Sequence, residues 1–543
     1  MDFDVLVAGG GPVGLCVAMD LAQRGIRVAV LEQRKAGQLP SVKCNHVASR
    51  TMESFRRLGF VQQVRAAGLP DDYPNDVVFR TRATGHELTR IPIPNRLERY
   101  TRRDGPDCQW ATPEPAHRIN QIYLEPLLNE QAGRTAGVTL HYESQLLDFS
   151  QDETGIVALV RDLTSGATVS LRARFLLGCD GGRSLVRKRM GAALVGDEII
   201  QRVQSTYFRA PDLLRRISGE RAWMSYLYSP GRQGNLVAID GRETWLLHNY
   251  LLPHEEGFES VDRDRCLRHL LGVGDDFHYE LLTKEDWIGR RLVADRLRDR
   301  RVFLCGDAAH LWVPYAGYGM NAGIADGLTL SWQLAAHLQG WGGEPMLGAY
   351  ERERHPITEQ VSRFAMHHAH GAIRERTTLP AELEDTTAQG QAARERVGAA
   401  AYALNVQQFA CAGLNYGYFY DNSPLVVPDG EPAPAYTMQH YTPSTVPGCR
   451  LPHFFLGDGR SVYDVLGPWY SLLVLDRSAD AAPLISAAAA AGMPLTVVDL
   501  ADQTLPSSYG HRLMVVRPDA MVAWRGQCMP AACGGLVGAL AGR

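Results

Sequence analysis

The feature that most constrains this chain lies in its first thirty-five residues. Asp4-Val5-Leu6-Val7-Ala8 is a short apolar run that reads as a buried strand, and Gly9-Gly10-Gly11-Pro12-Val13-Gly14 follows it directly. Leu15 to Arg24 reads as a helix, with Pro12 tolerated near its first turn and Gly25 placed as its stop. A second apolar strand, Arg27 to Leu31, ends in Glu32 with Gln33 beside it. Each glycine has a mechanical task. Gly9 makes the tight turn, Gly11 lets the backbone approach a pyrophosphate, and Gly14 lets helix pack on strand. The free N–H groups at the helix start meet phosphate charge. Glu32 stands where a carboxylate accepts hydrogen bonds from a ribose diol, about twenty positions beyond the turn, and that setting distinguishes a dinucleotide site from a plain glycine turn. NAD and FAD both fit it.

Composition narrows the class. With 543 residues, the chain has length for three or four units of roughly 150 residues each. Its 45% hydrophobic and 21% charged residues are ordinary for a globular protein. Lys and Arg number 56 against 60 Asp and Glu, so no basic excess points to nucleic acid or to an anionic membrane surface. No apolar run approaches the ~18 residues that span a bilayer, and Asp2 and Asp4 occupy the place of a basic signal-peptide n-region. The ten cysteines show neither CxxC nor zinc-ligand spacing. A cytoplasmic protein without a metal is expected.

Two later segments bear on the cofactor. Phe175-Leu176-Leu177-Gly178-Cys179 is another buried strand, broken by Asp180-Gly181-Gly182, and Ser184 and Arg187 sit three residues apart on the helix that follows. Val302 to Cys305 is a strand ending at Gly306-Asp307. A loop with Pro314, Gly317 and Gly319 then leads into a helix near Asn321, on which Ile324, Leu328, Trp332 and Ala336 recur at every fourth position. The helix start at Gly319, Met320 and Asn321 offers backbone donors and the positive end of a dipole, suited to the negative charge of a reduced flavin. Asp307 is placed to hold a ribityl hydroxyl.

Together GGGPVG, CDGGRSLVR and GDAAHLWVPYAGYGMNAGIADG resemble the class A FAD-dependent aromatic hydroxylases, single-component monooxygenases with the para-hydroxybenzoate hydroxylase fold. The resemblance covers residues 1 to 370 or so. It implies an α/β fold, with a Rossmann-type (GR2-like) FAD-binding domain, an inserted antiparallel-sheet substrate domain and tightly bound FAD. Only one GxGxxG unit is present, and the family implies that NADPH or NADH docks transiently, with Asp180 serving both FAD and that docking. The segment from Lys43 through Arg50 resembles the stretch that runs beside the flavin, although the family usually has Arg where Lys43 stands. Arg118, Gln121 and Glu125 resemble the Arg-x-x-Gln element that reaches the FAD pyrophosphate and ribityl chain; a solvated amphipathic helix starting near Asn120 is the alternative.

Between Val195 and Val293 the pattern changes to strands separated by Gly, Pro and Asp turns, including 204–209, 223–228, 235–240 and 244–251. Alternation puts Trp223, Ser225 and Leu227 on one face and Met224, Tyr226 and Tyr228 on the other. In the resembled family such a sheet roofs the flavin and lines the substrate pocket; which face does so is open. Residues 372–405 read as helical and partly solvated, and 422–448 as a proline-dense linker. The remainder looks like the thioredoxin-like domain of the phenol hydroxylase branch, without CxxC, serving packing or dimer contact. The expected division is 1–190 with 285–375 for FAD, 191–284 for the substrate sheet, 376–447 for helix and linker, and 448–543 for the last domain.

The implied reaction inserts one oxygen of O2 into a phenolic ring through a flavin C4a-hydroperoxide, with NAD(P)H as reductant. A phenol attacks best as its phenolate, so a base is needed. His46 ranks first, because imidazole titrates near neutrality. Asn45 beside it occupies the place where some phenol hydroxylases carry His. Tyr226 and Tyr228 come next and His248 follows, while His310 reads as scaffold. Few fixed charges lie in the middle sheet, which favours a small neutral phenol; a polycyclic or polyketide phenol is the runner-up. An FAD oxidase or dehydrogenase without oxygen insertion is the competing class, and a homodimer the expected assembly.

Overall fold

Val5, Leu6, Val7, Val28, Leu176 and Leu177 are all wholly buried, and strands apolar on both faces must lie between layers of helix. The computed structural model, which describes residues 1–197 and 199–543 (Ala316 by its backbone alone), places them there. Phe3–Ala8 pairs in parallel with Val28–Leu31 on one side and with Thr168–Gly178 on the other. Val302–Leu304 and Val138–His141 extend this parallel sheet at its two sides. The helix Pro12–Gln23 begins at the proline, three residues before the expected start. It packs against the long helix Gly319–Leu338, so that the first and third motifs meet although three hundred residues separate them.

A second sheet has seven strands, in the order Glu280–Gly289, Gln201–Arg209, Thr244–Tyr250, Arg232–Ala238, Met224–Ser229, Val77–Arg80 and Glu87–Ile91. The last two come from the stretch expected to belong to the FAD unit. Val77, Val78 and Phe79 are wholly buried, and the strand finds its cover by pairing in parallel with Met224–Leu227. Residues paired across strands share a face. Phe79, Tyr226, Asn235, His248 and Ser205 therefore form one row across five strands. The helix Arg263–Leu271, through Leu267, Leu270 and Leu271, covers the opposite face. The Tyr226 row is the one turned toward the first unit: Tyr228 donates to Glu375 of the helix Glu344–Thr377 at 2.8 Å, and Lys43 meets Glu285 at 2.5 Å.

Beyond residue 370 the chain is less solvated than expected. Ala372, Arg376, Ala393, Ala401 and Asn405 are buried, because the helix Ala388–Phe409 lies on the strand Glu87–Ile91. In the C-terminal unit Tyr470–Val474 pairs in parallel with Leu495–Asp499 across the helix Ala482–Ala490, and Leu513–Val516 and Val522–Gly526 follow antiparallel. This is the thioredoxin-like order. The unit is tied to its own chain through Arg517, which holds Glu353 at 2.6 and 2.8 Å with both side chains fully buried. Among the described residues no helix is long and apolar enough to cross a membrane.

Candidate flavin and substrate site

The glycine motif leaves a cleft where a backbone must come close to a ligand. Gly9 has φ +102°, and a Cβ there would lie 2.3 Å from the Cys179 carbonyl oxygen. A Cβ on Gly14 would lie 2.0 Å from the Gly9 oxygen, so only glycine lets the helix reach the strand. Around Gly11, Gly181 and Gly319, by contrast, a Cβ would meet nothing within 4 Å. The helices beginning at Pro12 and Gly319 have neither a side-chain cap nor an acidic residue in the first turn, so their positive ends are open to an anion. Glu32 accepts from the Gly10 N–H at 2.9 Å and from the Arg34 N–H at 2.8 Å. Burial would raise its carboxyl, but the bonds from Arg34 and Gly10 outweigh this and hold it below the usual range. Arg34 also meets Glu125 at 2.5 Å, and Gln121 donates to Glu125 at 2.9 Å. Gln33 is exposed beside this network.

The far end of the cleft belongs to the third motif. Gly306, at φ +61°, brings the strand end within contact of Val13 and Gly323. Asp307 opens to the cleft, yet the surrounding protein raises its carboxyl, against the pull of His310 and Lys43. His310 is bound to Asp326 at 2.6 Å and Asp326 to Arg354 at 2.8 Å, the scaffold expected for it. Pro314 is exposed at the start of the loop, and Gly317 adopts φ +61°, where a Cβ would lie 3.0 Å from the His46 side chain. Met320 is buried below it. Asn321 fastens the loop: it accepts from the Ala48 N–H at 2.8 Å and donates to the His46 and Gly317 carbonyls at 3.1 and 2.8 Å.

Several of the residues expected to contact FAD are engaged with the protein itself. Both Asp180 oxygens are spent on the helix Leu185–Arg189, accepting from the Ser184 hydroxyl and from the Leu185 and Val186 N–H groups. Arg187 donates to the Ala308 and Gly182 carbonyls at 2.9 Å, bracing the second and third motifs against each other. Lys43 is drawn to Glu285 across the unit boundary. Arg118 turns away from the Glu32 network, donating to His46 Nδ1 at 2.5 Å and lying 4.3 Å from the Trp223 ring. Arg50 lies over Tyr418 at 4.6 Å, on the side of the C-terminal unit. Side chains on consecutive residues point in different directions, and the chain turns these two toward other interior surfaces.

The expected bases are each tied to neighbours within the protein. An arginine only donates, so His46 Nδ1 must accept and its proton sits on Nε2. Burial, then Arg118, hold that ring neutral, with a pKa well below the usual value. His248 Nδ1 faces the Ser205 hydroxyl at 2.7 Å, which also accepts from the Trp287 indole at 2.9 Å; burial lowers its pKa to about 4. Asn45 accepts from Asn120 at 2.5 Å. Burial, and then the neighbouring Tyr250 and Tyr315 phenols, push Tyr226 well above its ordinary pKa, and burial does the same to Tyr228.

What the tyrosine face does hold is a cation. Arg376 is 5% exposed, lies 4.4 Å from the Tyr250 ring, and donates to the Tyr315 hydroxyl at 3.4 Å and to Gln201 at 3.2 Å. Tyr315 belongs to the glycine loop, so Arg376 connects that loop to the sheet. Sequence reasoning missed Arg376, Tyr250, Tyr315 and Arg34. Arg376 stands in an Ala-, Glu- and Arg-rich stretch that reads as solvated helix, and only its burial distinguishes it.

Glycines set between two uncapped helix starts, with an acidic ribose clamp at Glu32, make a dinucleotide-binding protein. The FAD binding domain model matches residues 2–365 and the aromatic-ring hydroxylase C-terminal model matches residues 444–542. The chain belongs to this family of FAD-dependent aromatic-ring hydroxylases, and FAD is its cofactor. It is 31% identical to the FAD-dependent monooxygenase opdD of Penicillium oxalicum, over 88% of this chain and 95% of that one. It is 29% identical to a phenol 2-monooxygenase of a Pseudomonas species, over 98% and 91%. Among solved structures it is similar to the rebeccamycin biosynthetic enzyme RebC with reduced flavin, at TM-score 0.90 and 34% identity, covering 99% of each chain.

Proposed function

We propose that the protein hydroxylates a phenolic ring held between the tyrosine face of the seven-stranded sheet and the glycine loop 314–319. NAD(P)H is the electron donor and O2 the oxygen source. The single observation that carries this reading is the buried Arg376 guanidinium set among Tyr226, Tyr250 and Tyr315 beside that loop. Bound FAD, once reduced, supplies the activated oxygen. The protein's own part is to bind the ring, exclude water and favour the phenolate. Because burial makes the nearby imidazoles weak bases, the fixed positive charge of Arg376 is assigned the last of these. The His46 Nε2–H is a donor beside the loop, and Tyr226 supplies a neutral hydroxyl. The face pairs the Arg376 cation with the neighbouring Glu375, which accepts from Tyr228 at 2.8 Å, and a small neutral phenol suits that balance; the relatives include a phenol hydroxylase, which supports the same class.

The test is a panel of monocyclic and polycyclic phenols, scored for stimulated NAD(P)H consumption and for gain of one labelled oxygen from isotopically enriched dioxygen. Stimulated turnover with unlabelled product would replace hydroxylation by simple dehydrogenation. An absence of stimulation by every phenol would end the phenolic reading.

A further inference from the structure

A cavity of about 490 Å3 lies on the other side of the helix Gly319–Leu338, between the FAD unit and the C-terminal unit. None of Gly9, Gly11, Gly14, Glu32 or Asp307 lines it. Its apolar wall is built from Leu328, Ile357 and Val361, and its volume is in the range of roughly 300–1,000 Å3 that holds a small organic ligand.

The polar lining is one-sided. Among the described residues, three that line it carry buried side-chain atoms with no hydrogen-bond partner: Arg50 Nη1, Trp332 Nε1 and Thr358 Oγ1. Trp332 and Thr358 are each 1% exposed. The first two can only donate, and the third can donate, so together they call for an acceptor. The other lining charges are already matched. Asp20 is paired with Arg24 and Arg57, Asp464 with Arg56, Asp519 with Arg517, Arg354 with Asp326, and Glu53 with Arg450. Arg50 alone among these has no carboxylate partner among the described residues. Its contacts are the Asp519 carbonyl at 3.3 Å, the Met521 sulfur at 3.8 Å and the Tyr418 ring at 4.6 Å. Arg50 is half-buried with its Nη1 enclosed, and the nearest carboxylate acting on it, Glu53, is already paired with Arg450, so an anionic ligand would complete its bonding.

We propose that this cavity is a second ligand site for a small aromatic carboxylate, its carboxylate on Arg50 and its ring against the Leu328 wall. The site shares Tyr318 and Asn321 with the base of the flavin loop. Asn321 holds His46, Ala48 and Gly317, so occupancy is transmitted to the loop that flanks the flavin. The proposal does not depend on the phenolic substrate.

Calorimetric titration of the FAD-loaded protein with 2-naphthoate tests it, with naphthalene-2-carboxamide as the neutral counterpart. One equivalent of naphthoate per flavin is expected, at least tenfold tighter than the carboxamide. Arg50→Gln should weaken naphthoate at least tenfold, and Ala325→Phe, which fills the cavity from the helix, should abolish binding. Arg376→Gln should leave it unchanged. The flavin absorption spectrum reports folding of each variant. No binding, equal binding of the amide, equal binding by both cavity variants, or loss in Arg376→Gln instead would each overturn the assignment.

Discussion

Replacing Arg376 by Gln keeps the hydrogen-bonding reach of the side chain and removes its charge. Burial disfavours a bare guanidinium there, but the Tyr315, Tyr250 and Tyr228 phenols prevail and push its pKa up, so it stays charged over the whole working range. The Tyr250 ring shows how close an aromatic group comes, 4.4 Å from the guanidinium carbon to the ring centre. A phenolate oxygen at about 5 Å, with an effective dielectric constant of about 20, gains about 3 kcal/mol, or about two pKa units. A bound phenol of solution pKa about 10 should then ionise near 8 in the parent protein and near 10 in Arg376→Gln. The assay is a pH titration of a bound phenol whose phenolate absorbs at long wavelength, followed by difference spectroscopy on the oxidised holoenzyme. The acidic limb of the kcat/KM profile should move upward by the same amount. Arg376→Lys, which keeps the charge on a flexible stem, should recover part of the shift. If the bound phenol ionises at one pH in parent and Gln variant alike, Arg376 is not what stabilises the phenolate.

Two further outcomes follow from the coordinates. Gly14→Ala puts a Cβ 2.0 Å from the Gly9 oxygen, and purified protein should lose most of its FAD, measured as the flavin-to-protein absorbance ratio; a fully loaded variant would show that the turn has slack. Burial lowers His117 to about 3 and His368 to about 4, so between their folded values and about 6.5 the unfolded chain binds protons that the folded one does not. Stability is therefore complete above about 6.5 and declines as pH falls, by about 2 kcal/mol for each histidine between pH 7.5 and 5. His368→Gln should flatten that decline in denaturant titrations at the two pH values, and an unchanged slope would contradict it.

The glycine motifs were legible because their requirement is steric. At Gly9 and Gly14 a carbonyl oxygen occupies the place of a Cβ, and that exclusion is written in the residue type itself. The third motif was legible through its spacing, with Gly306 packed on Val13 and Asn321 as the fastening of the loop. Direction was harder to read. Arg50 and Arg118 lie in the expected segments, yet one faces Tyr418 and the other His46, since a turn of one residue along the backbone swings a side chain to another surface. Asp180 was read as a ligand for FAD, and the structure adds a second task for it, because both its oxygens accept from the start of the next helix. Long-range pairing was hidden as well. Nothing local in Val77–Arg80 announces a partner some 150 residues further on, because that pairing depends on which apolar faces remain uncovered.

Glu353 and Arg517 meet where no water reaches, one on the long helix of the flavin unit and the other in the final hairpin. Neither charge could be left behind if the last hundred residues were exchanged for those of a relative, since a stranded carboxylate in that position costs several kcal/mol. A chimera would have to carry both partners or neither. Shuffling between members of this family is thereby restricted to combinations that keep opposite signs on the two sides of the seam.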